Sequence, residues 1–400
     1  MPWLNLITLA LIALPTLALP CCKSTLSAGF KHPGIYHDCD SLNRIQDNYQ
    51  SGKAPYVKAL DDAISRLPAL QGDGTWDMDG PFETVAWAGD DGHNIPLMND
   101  GKSAYALTLG WYATGNSTWL SRAKNVILSW GSTLKDLNDH IQGGEGLAYM
   151  TAAAEILRAS EGSNWTNSDT NTYTQMIDRI TGLWNETRGL VRPDLFLNQG
   201  AYGNSGAMAV AVFAGLQDIF DDMIYHATVG ANPDSSIDYA IPLEISGKRE
   251  YYGQVTEMGR DQGHPMGGLR ALGFMGITSR IQGSTDFYTQ NSSRLQAGWE
   301  YWCKYNSGEE VAYEPRAIRP NTSDEVWTAP NGKDRGRNFA TYGTQPLEAI
   351  GVAFHEYYRR GTIKDMPYYD AYMKWQGVGW DAFEWGDDCT LGHLGFLEEA

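Results

Sequence analysis

The chain has 400 residues, of which 42% are hydrophobic and 12% aromatic; that is folded-protein composition, enough for one large core or two domains, and it excludes a disordered chain. With 48 acidic against 30 basic side chains the formal charge is −18, which argues against nucleic acid as a partner. The acidity is uneven: residues 1–240 carry 26 acidic and 14 basic side chains, residues 361–400 carry 8 and 2, and residues 241–360 carry 14 of each. An anion can still bind in that neutral stretch, because the local field of a cleft differs from the global one.

In chain order, residues 1–20 read as a secretory signal peptide. Leu4 to Leu19 is apolar apart from Asn5, Thr8, Thr16 and Pro15, too short and interrupted for a membrane span. No later segment is apolar enough to cross a bilayer, so residues 21–400 are expected to form one secreted, soluble, monomeric domain. Cys21, Cys22, Cys39, Cys303 and Cys389 point in an exported protein to one or two disulfides with at least one thiol left over. No CxxC pair is present, and no metal site is expected. Sequons at Asn116, Asn164, Asn185, Asn291 and Asn321 favour a eukaryotic secretory route and a glycoprotein.

Helical patterns follow one another along the body. Ser103 to Tyr112 is the first, and Thr118 to Trp130 follows, with Leu120, Ala123, Val126, Ile127 and Trp130 spaced by three and four. Gly115-Asn116 between them is a stop-and-turn signal. Gly146 to Ala159, Ser168 to Glu186, Ala207 to Asp222, Gly267 to Gln282, Ser292 to Asn306 and Pro346 to Arg360 continue the series. Valine, isoleucine and threonine do not cluster at period two, so strands are not expected. Consecutive helical hairpins of this size suggest an all-α fold, an α/α toroid whose loop-rich face forms a cleft. The irregular stretch from Gly308 to Gly343 is long for a loop, and loops that long are usually functional or disordered.

The densest chemistry lies in Gly253-Gln254-Val255-Thr256-Glu257-Met258-Gly259-Arg260-Asp261-Gln262-Gly263-His264. Glycine is a poor helix former and nothing apolar recurs at helical spacing, so this segment belongs at an element end. Its bland interpretation is a buried ion-pair corner between two helices. His264 precedes Pro265, which places it at a turn or helix entry.

This segment resembles the Gly-Gln-x-x-Glu-x-Gly-Arg-Asp-Gln-Gly-His signature of the helical-toroid polysaccharide lyases of the alginate and glucuronan lyase superfamily. The likeness extends to His32-Pro33-Gly34-Ile35-Tyr36-His37 with Leu42-Asn43-Arg44-Ile45, and to the block from Asn99-Asp100 to Trp130. Gly203-Asn204-Ser205 is similar to the family's Gly-Asn-Trp helix start, with Ser205 replacing the tryptophan, and Arg294 to Asn306 resembles the helix that follows the signature. The resemblance implies a lyase that cleaves a β-1,4-linked uronan such as alginate or glucuronan by β-elimination.

That reaction needs a neutraliser for the C6 carboxylate as C5–H is removed, a base for that proton, and an acid for the leaving O4. A neutral amide and a cation neutralise without a metal, so no cofactor is expected. By resemblance Asn204 is the neutralising asparagine; on its own it reads as a helix N-cap. Asn198, with Gln199 beside it, is the rival. His264 is expected to act as neutraliser or second base, and Arg260 and Gln262 to bind substrate. Glu257 is expected to orient the histidine, and Arg260 and Asp261 to form a supporting ion pair. Tyr342 is expected as base and acid, its phenolate favoured by Arg337 or Arg335, with Tyr313 and Tyr202 as alternatives. Two other functions stay open: a toroidal glycoside hydrolase with two carboxylates across the cleft, and a sugar-binding protein without catalysis.

Overall fold

A computed structural model describes residues 19–65, 78–87, 92–184, 188–192, 195, 197–230, 236–245, 247–315, 330 and 347–375. Residues 1–18 of the leader, Asn185, Asn321, Cys389, Arg335, Arg337 and Tyr342 lie outside the described residues.

The chain folds as an α/α toroid. Its inner layer is built from α3 (Asn94–Thr114), α5 (Gln142–Ala159), α7 (Leu197–Ala214), α10 (Gly263–Ile281) and α12 (Leu347–Arg359), each packed on the next. Preceding them, α1 (Cys39–Gln50) packs on α3 and is followed by α2 (Ala54–Ser65). Outside lie α4 (Ser117–Thr133), α6 (Asn167–Thr181), α8 (Gln217–Thr228), α11 (Gln290–Asn306) and α13 (Pro367–Trp375), with the single turn α9 (Ile237–Ala240) against α11.

The sequence separates the two layers. In α4 the buried residues are Leu120, Ala123, Val126, Ile127, Trp130 and Gly131, the stripe expected from the three-and-four spacing. By contrast, α5 buries every residue from Gly143 to Leu157, Glu145 and Glu155 included, so it is covered on all sides and belongs inside. Gly115, at φ +75, ends α3, and Asn116 caps α4 by accepting from the Thr118 N–H at 2.9 Å. Glycine also sets the inner spacing. A Cβ on Gly101 of α3 would lie 2.2 Å from the carbonyl oxygen of Gly146 on α5, so only glycine permits that approach.

Two helical expectations change. The stretch Ala207 to Asp222 is two helices, α7 and α8, because Gly215 at φ +74 breaks the chain between them. The stretch Ser168 to Glu186 stops at Thr181, with Gly182 as C-cap. Strands were not expected, yet three two-stranded sheets occur among the described residues. β1 (Cys21–Cys22) pairs antiparallel with β6 (Ser160–Glu161), β2 (Thr25–Ser27) with β3 (Phe30–His32), and β4 (Thr84–Ala86) lies parallel to β5 (Asp136–Asn138). Strands of two or three residues leave no period-two signature to read. A disulfide joins Cys22 to Cys39, while Cys303 is a buried thiol and Cys21 an exposed one.

The inner helices run parallel, start beside start. The Gly101–Gly146 approach is near the beginning of α3 and α5, and Gly144 meets Tyr202 and Gly203 near the beginning of α7. At the other end, Arg158 of α5 donates to the carbonyl of Phe213 in α7 at 2.8 Å. The segment after β3 then closes the ring axis. Ile35, Tyr36 and His37 are buried, and the Tyr36 ring meets Tyr105, Tyr149 and Phe274 at centroid distances of 6.2, 6.0 and 4.6 Å. Its hydroxyl is 3.3 Å from Ser205 Oγ, so α3, α5, α7 and α10 all converge on this plug.

Candidate active site

Helix starts leave backbone N–H groups unsatisfied, and those of α7 and α10 share one end of the ring. Two carboxylates from the glycine-rich segment meet them. The backbone N–H of Asn198 donates to Glu257 Oε2 at 3.1 Å, and Arg260 Nη1 lies 3.1 Å from Glu257 Oε1. Asp261 Oδ1 accepts from the N–H groups of Gly263 at 2.9 Å and His264 at 3.0 Å, capping α10. Glu257 sits on a 3-10 turn, Thr256–Gly259, directly before that helix.

These contacts redistribute the pairings. Arg260 was expected to pair with Asp261, and Glu257 to orient His264; instead Glu257 holds Arg260, and Asp261 holds the histidine. His264 Nδ1 lies 2.8 and 2.7 Å from the two Asp261 carboxylate oxygens. The shorter connection wins because Asp261 already caps the helix turn that carries His264. A carboxylate on Nδ1 fixes the tautomer with its proton there and leaves Nε2 as the lone-pair nitrogen. The His264 side chain is 27% exposed, so that nitrogen has access to solvent or a ligand.

The electrostatics follow burial and partners. Burial pushes the Glu257 carboxyl up, opposed by His264, the Asn198 N–H and Arg260. Burial also works against ionised Asp261, but the His264 hydrogen bond and the capping N–H groups outweigh it and hold the carboxyl below its ordinary value.

Asn198 is the asparagine at this site. It is 8% exposed, and its side-chain Oδ1 has no hydrogen-bond partner among the described residues. Asn204, expected at a helix start, is inside α7 and 3% exposed, because α7 runs through Gly200 and Gly203 from Leu197. That is six residues, about 9 Å, beyond Asn198 along the helix. Gln199 is partly exposed beside Asn198. Gln262, expected to bind substrate, is 2% exposed with its amide committed to packing: it donates to the Met258 carbonyl at 3.2 Å and accepts from Asn306 of α11 at 2.9 Å.

Of the alternative tyrosines, Tyr202 has an arginine beside it. Arg270 Nη1 donates to its hydroxyl at 3.4 Å, and burial pushes the phenol up, helped by Glu145 and opposed by Arg270. Tyr313 belongs to a stretch whose neighbours bond elsewhere: Tyr301 donates to Ala312 O at 2.6 Å, and the Gln254 amide brackets the Glu314 backbone at 2.7 and 2.9 Å. Sequence reasoning missed Arg270, although an arginine inside the apolar run GGLRALGFMG was a usable signal. It also missed the platform on the rim, where Trp87 is 54% exposed and lies 6.1 Å from the His140 ring. Sugar rings stack on such faces. Among the described residues no cluster of histidine, cysteine or carboxylate side chains could hold a metal ion.

With this geometry in view, the comparisons are informative about the fold. The chain is similar to the crystal structure of an alginate lyase from Bacteroides ovatus, with a TM-score of 0.57 and 16% sequence identity over 92% of this chain and 100% of that one. No protein-family profile and no curated protein sequence matches the chain. The architecture is therefore shared with that structure, and at this identity the likeness speaks for the fold alone.

Proposed function

We propose that the protein is a secreted polysaccharide lyase that cleaves a β-1,4-linked uronan, alginate or glucuronan, by β-elimination and leaves a 4,5-unsaturated uronate end. The observation that carries this is the buried Asn198 side chain, its Oδ1 without a hydrogen-bond partner among the described residues, at the end of the ring that holds the Glu257–Arg260 and Asp261–His264 pairs. The Asn198 side-chain NH2 and the Arg260 guanidinium are donors for a C6 carboxylate as charge builds at C5, while His264, its Nδ1–H held by Asp261, offers Nε2 as an acceptor. Asn198 and Arg260 take the neutralising role, with Gln199 beside them, and Asn198 replaces Asn204 in it. His264, with its Nδ1–H held by Asp261, takes a proton through the Nε2 lone pair. Tyr342, with Arg337 or Arg335 as its cationic partner, remains the base and acid inferred from the signature's family.

The test is ultraviolet absorbance of the C4=C5 double bond, with purified protein on polymannuronate, polyguluronate and glucuronan in parallel. A rise on one polymer, lost in Asn198→Ala, is the expected result. New reducing ends without absorbance would mean hydrolysis and overturn the proposal. Neither signal on any of the three polymers would also count against it.

A further inference from the structure

Folding ordinarily hides tryptophan, yet Trp87 is 54% exposed, the one exposed tryptophan among the described residues. The strand that carries it is tied on both sides. β4 runs parallel to β5 with Ala86 opposite Asn138, and the Trp87 N–H donates to the Asn138 carbonyl at 3.3 Å. From the other side the Ala86 N–H donates to the Gly92 carbonyl at 2.6 Å, and His93 Nδ1 donates to the Thr84 carbonyl at 3.1 Å. The His93 ring in turn stacks on Phe82 at a centroid distance of 3.7 Å. The Trp87 indole lies 6.1 Å from the His140 ring at a tilt of 38°, and His140 is buried. A large apolar ring is thus presented to water by a fixed strand end with a fixed neighbour.

Its place in the ring links it to the candidate site. β5 leads through His140 into α5, and the His140 carbonyl oxygen lies 3.3 Å from where a Cβ on Gly203 of α7 would stand. Gly203 is five residues, about 7.5 Å, along α7 from Asn198. Trp87 therefore belongs to the end of the ring that holds Asn198 and His264, to one side of them.

The shape of a uronan decides what such a ring can hold. A pyranose meets an aromatic face through its axial C–H bonds, and axial oxygens keep the two apart. In glucuronan and polymannuronate the bonds at C1 and C4 are both equatorial; the chain is a flat ribbon, and each unit has a face of axial hydrogens. In polyguluronate both bonds are axial. The chain is buckled, and one linking oxygen stands up from each face of every ring.

We propose that Trp87, set against His140, is a stacking subsite that selects a diequatorially linked uronan, polymannuronate or glucuronan, over polyguluronate. This rests on the uronan lyase proposal. Trp87 holds a unit away from the bond that breaks, so it acts on binding of the chain.

Trp87→Ala removes the ring and Trp87→Phe keeps a smaller one. Two readouts are taken on polymannuronate, glucuronan and polyguluronate: KM and kcat from the double-bond absorbance, and retardation in native gels cast with each polymer, which needs no turnover. Wild type should prefer a flat polymer to polyguluronate. On that polymer W87A should show a KM about tenfold higher, a smaller change in kcat and less retardation, with W87F in between and melting unchanged. The preference over polyguluronate should shrink with it. Unaltered KM and retardation in W87A, an equal loss on all three polymers, or a wild type that prefers polyguluronate would each overturn the subsite. Should wild type yield no unsaturated ends, the lyase proposal fails; the subsite then stands if a flat polymer retards wild type and not W87A, and falls if both migrate alike.

Discussion

A buried amide group with an unmet polar atom costs about 1–3 kcal/mol, and Asn198 keeps one beside an arginine and a histidine. Asn204 is more deeply buried within the apolar helix α7, where its loss acts first on packing. Asn198→Ala should therefore lower kcat by about 10²–10³-fold with little change in melting, whereas Asn204→Ala should chiefly lower the melting temperature. The reverse pattern, read from initial rates and melts of both variants, would return the neutralising role to Asn204. Asp261→Asn removes the carboxylate that sets the His264 tautomer, and kcat should fall about a hundredfold. His37 supplies a pH dependence of stability. It is fully buried, Nε2 lies 2.5 Å from Tyr105 Oη, and burial lowers its pKa from 6.5 to about 3. Between those values the unfolded chain binds the proton and the folded one does not, so stability falls as pH drops, by up to about 1.4 kcal/mol per pH unit. Urea midpoints between pH 7 and pH 4 should show a shallower decline in His37→Gln than in wild type.

Helix contacts in the inner layer rest on backbone approach. Gly101→Ala drives a methyl group against the Gly146 carbonyl oxygen at 2.2 Å, which neither helix can relieve by rotating a side chain. Overpacking of this kind costs about 1–3 kcal/mol, so the variant should melt several degrees lower. The Cys22–Cys39 disulfide ties β1 to the first residue of α1 across a separation of 17 residues. Loop-closure entropy for a loop of that size is about 3 kcal/mol, and Cys22→Ser should lose a comparable amount in a urea titration.

Across the ring, the plug of Ile35, Tyr36 and His37 separates two ends of different chemistry. One end carries Asn198 and His264; the other holds a cavity of about 520 Å³ lined by His32, Arg158 and Phe213. Since α3, α5, α7 and α10 are covered on all sides, amide hydrogen exchange should be slowest in these four helices and faster in α8 and α13. Binding of the proposed uronan by a chain of charge −18 would run through local positive groups, which salt screens.

Periodicity and punctuation carried most of the architecture. The stripe on α4 and the Gly115-Asn116 turn are local properties, legible because each helix must hide its apolar face wherever it lies. The signature from Gly253 to His264 announced an element end, and α10 begins there. Pairing between helices is not local. The Glu257–Arg260 and Asp261–His264 pairs lie only three residues apart, but which arginine reaches Tyr202 depends on α10 meeting α7, where Arg270 Nη1 lies 3.4 Å from the hydroxyl. A glycine that looks like a helix start in sequence is a contact point in the ring: Gly203 lies inside α7, where a Cβ would be 2.2 Å from the Leu190 carbonyl oxygen. Lys102, Glu145 and Arg270 stand far apart in the chain and become one charged group only when α3, α5 and α10 close around a common axis. A sequence states which groups exist and how each local turn is biased; only burial against partners from other helices decides which charges meet, because that burial sets both their distance and the dielectric between them.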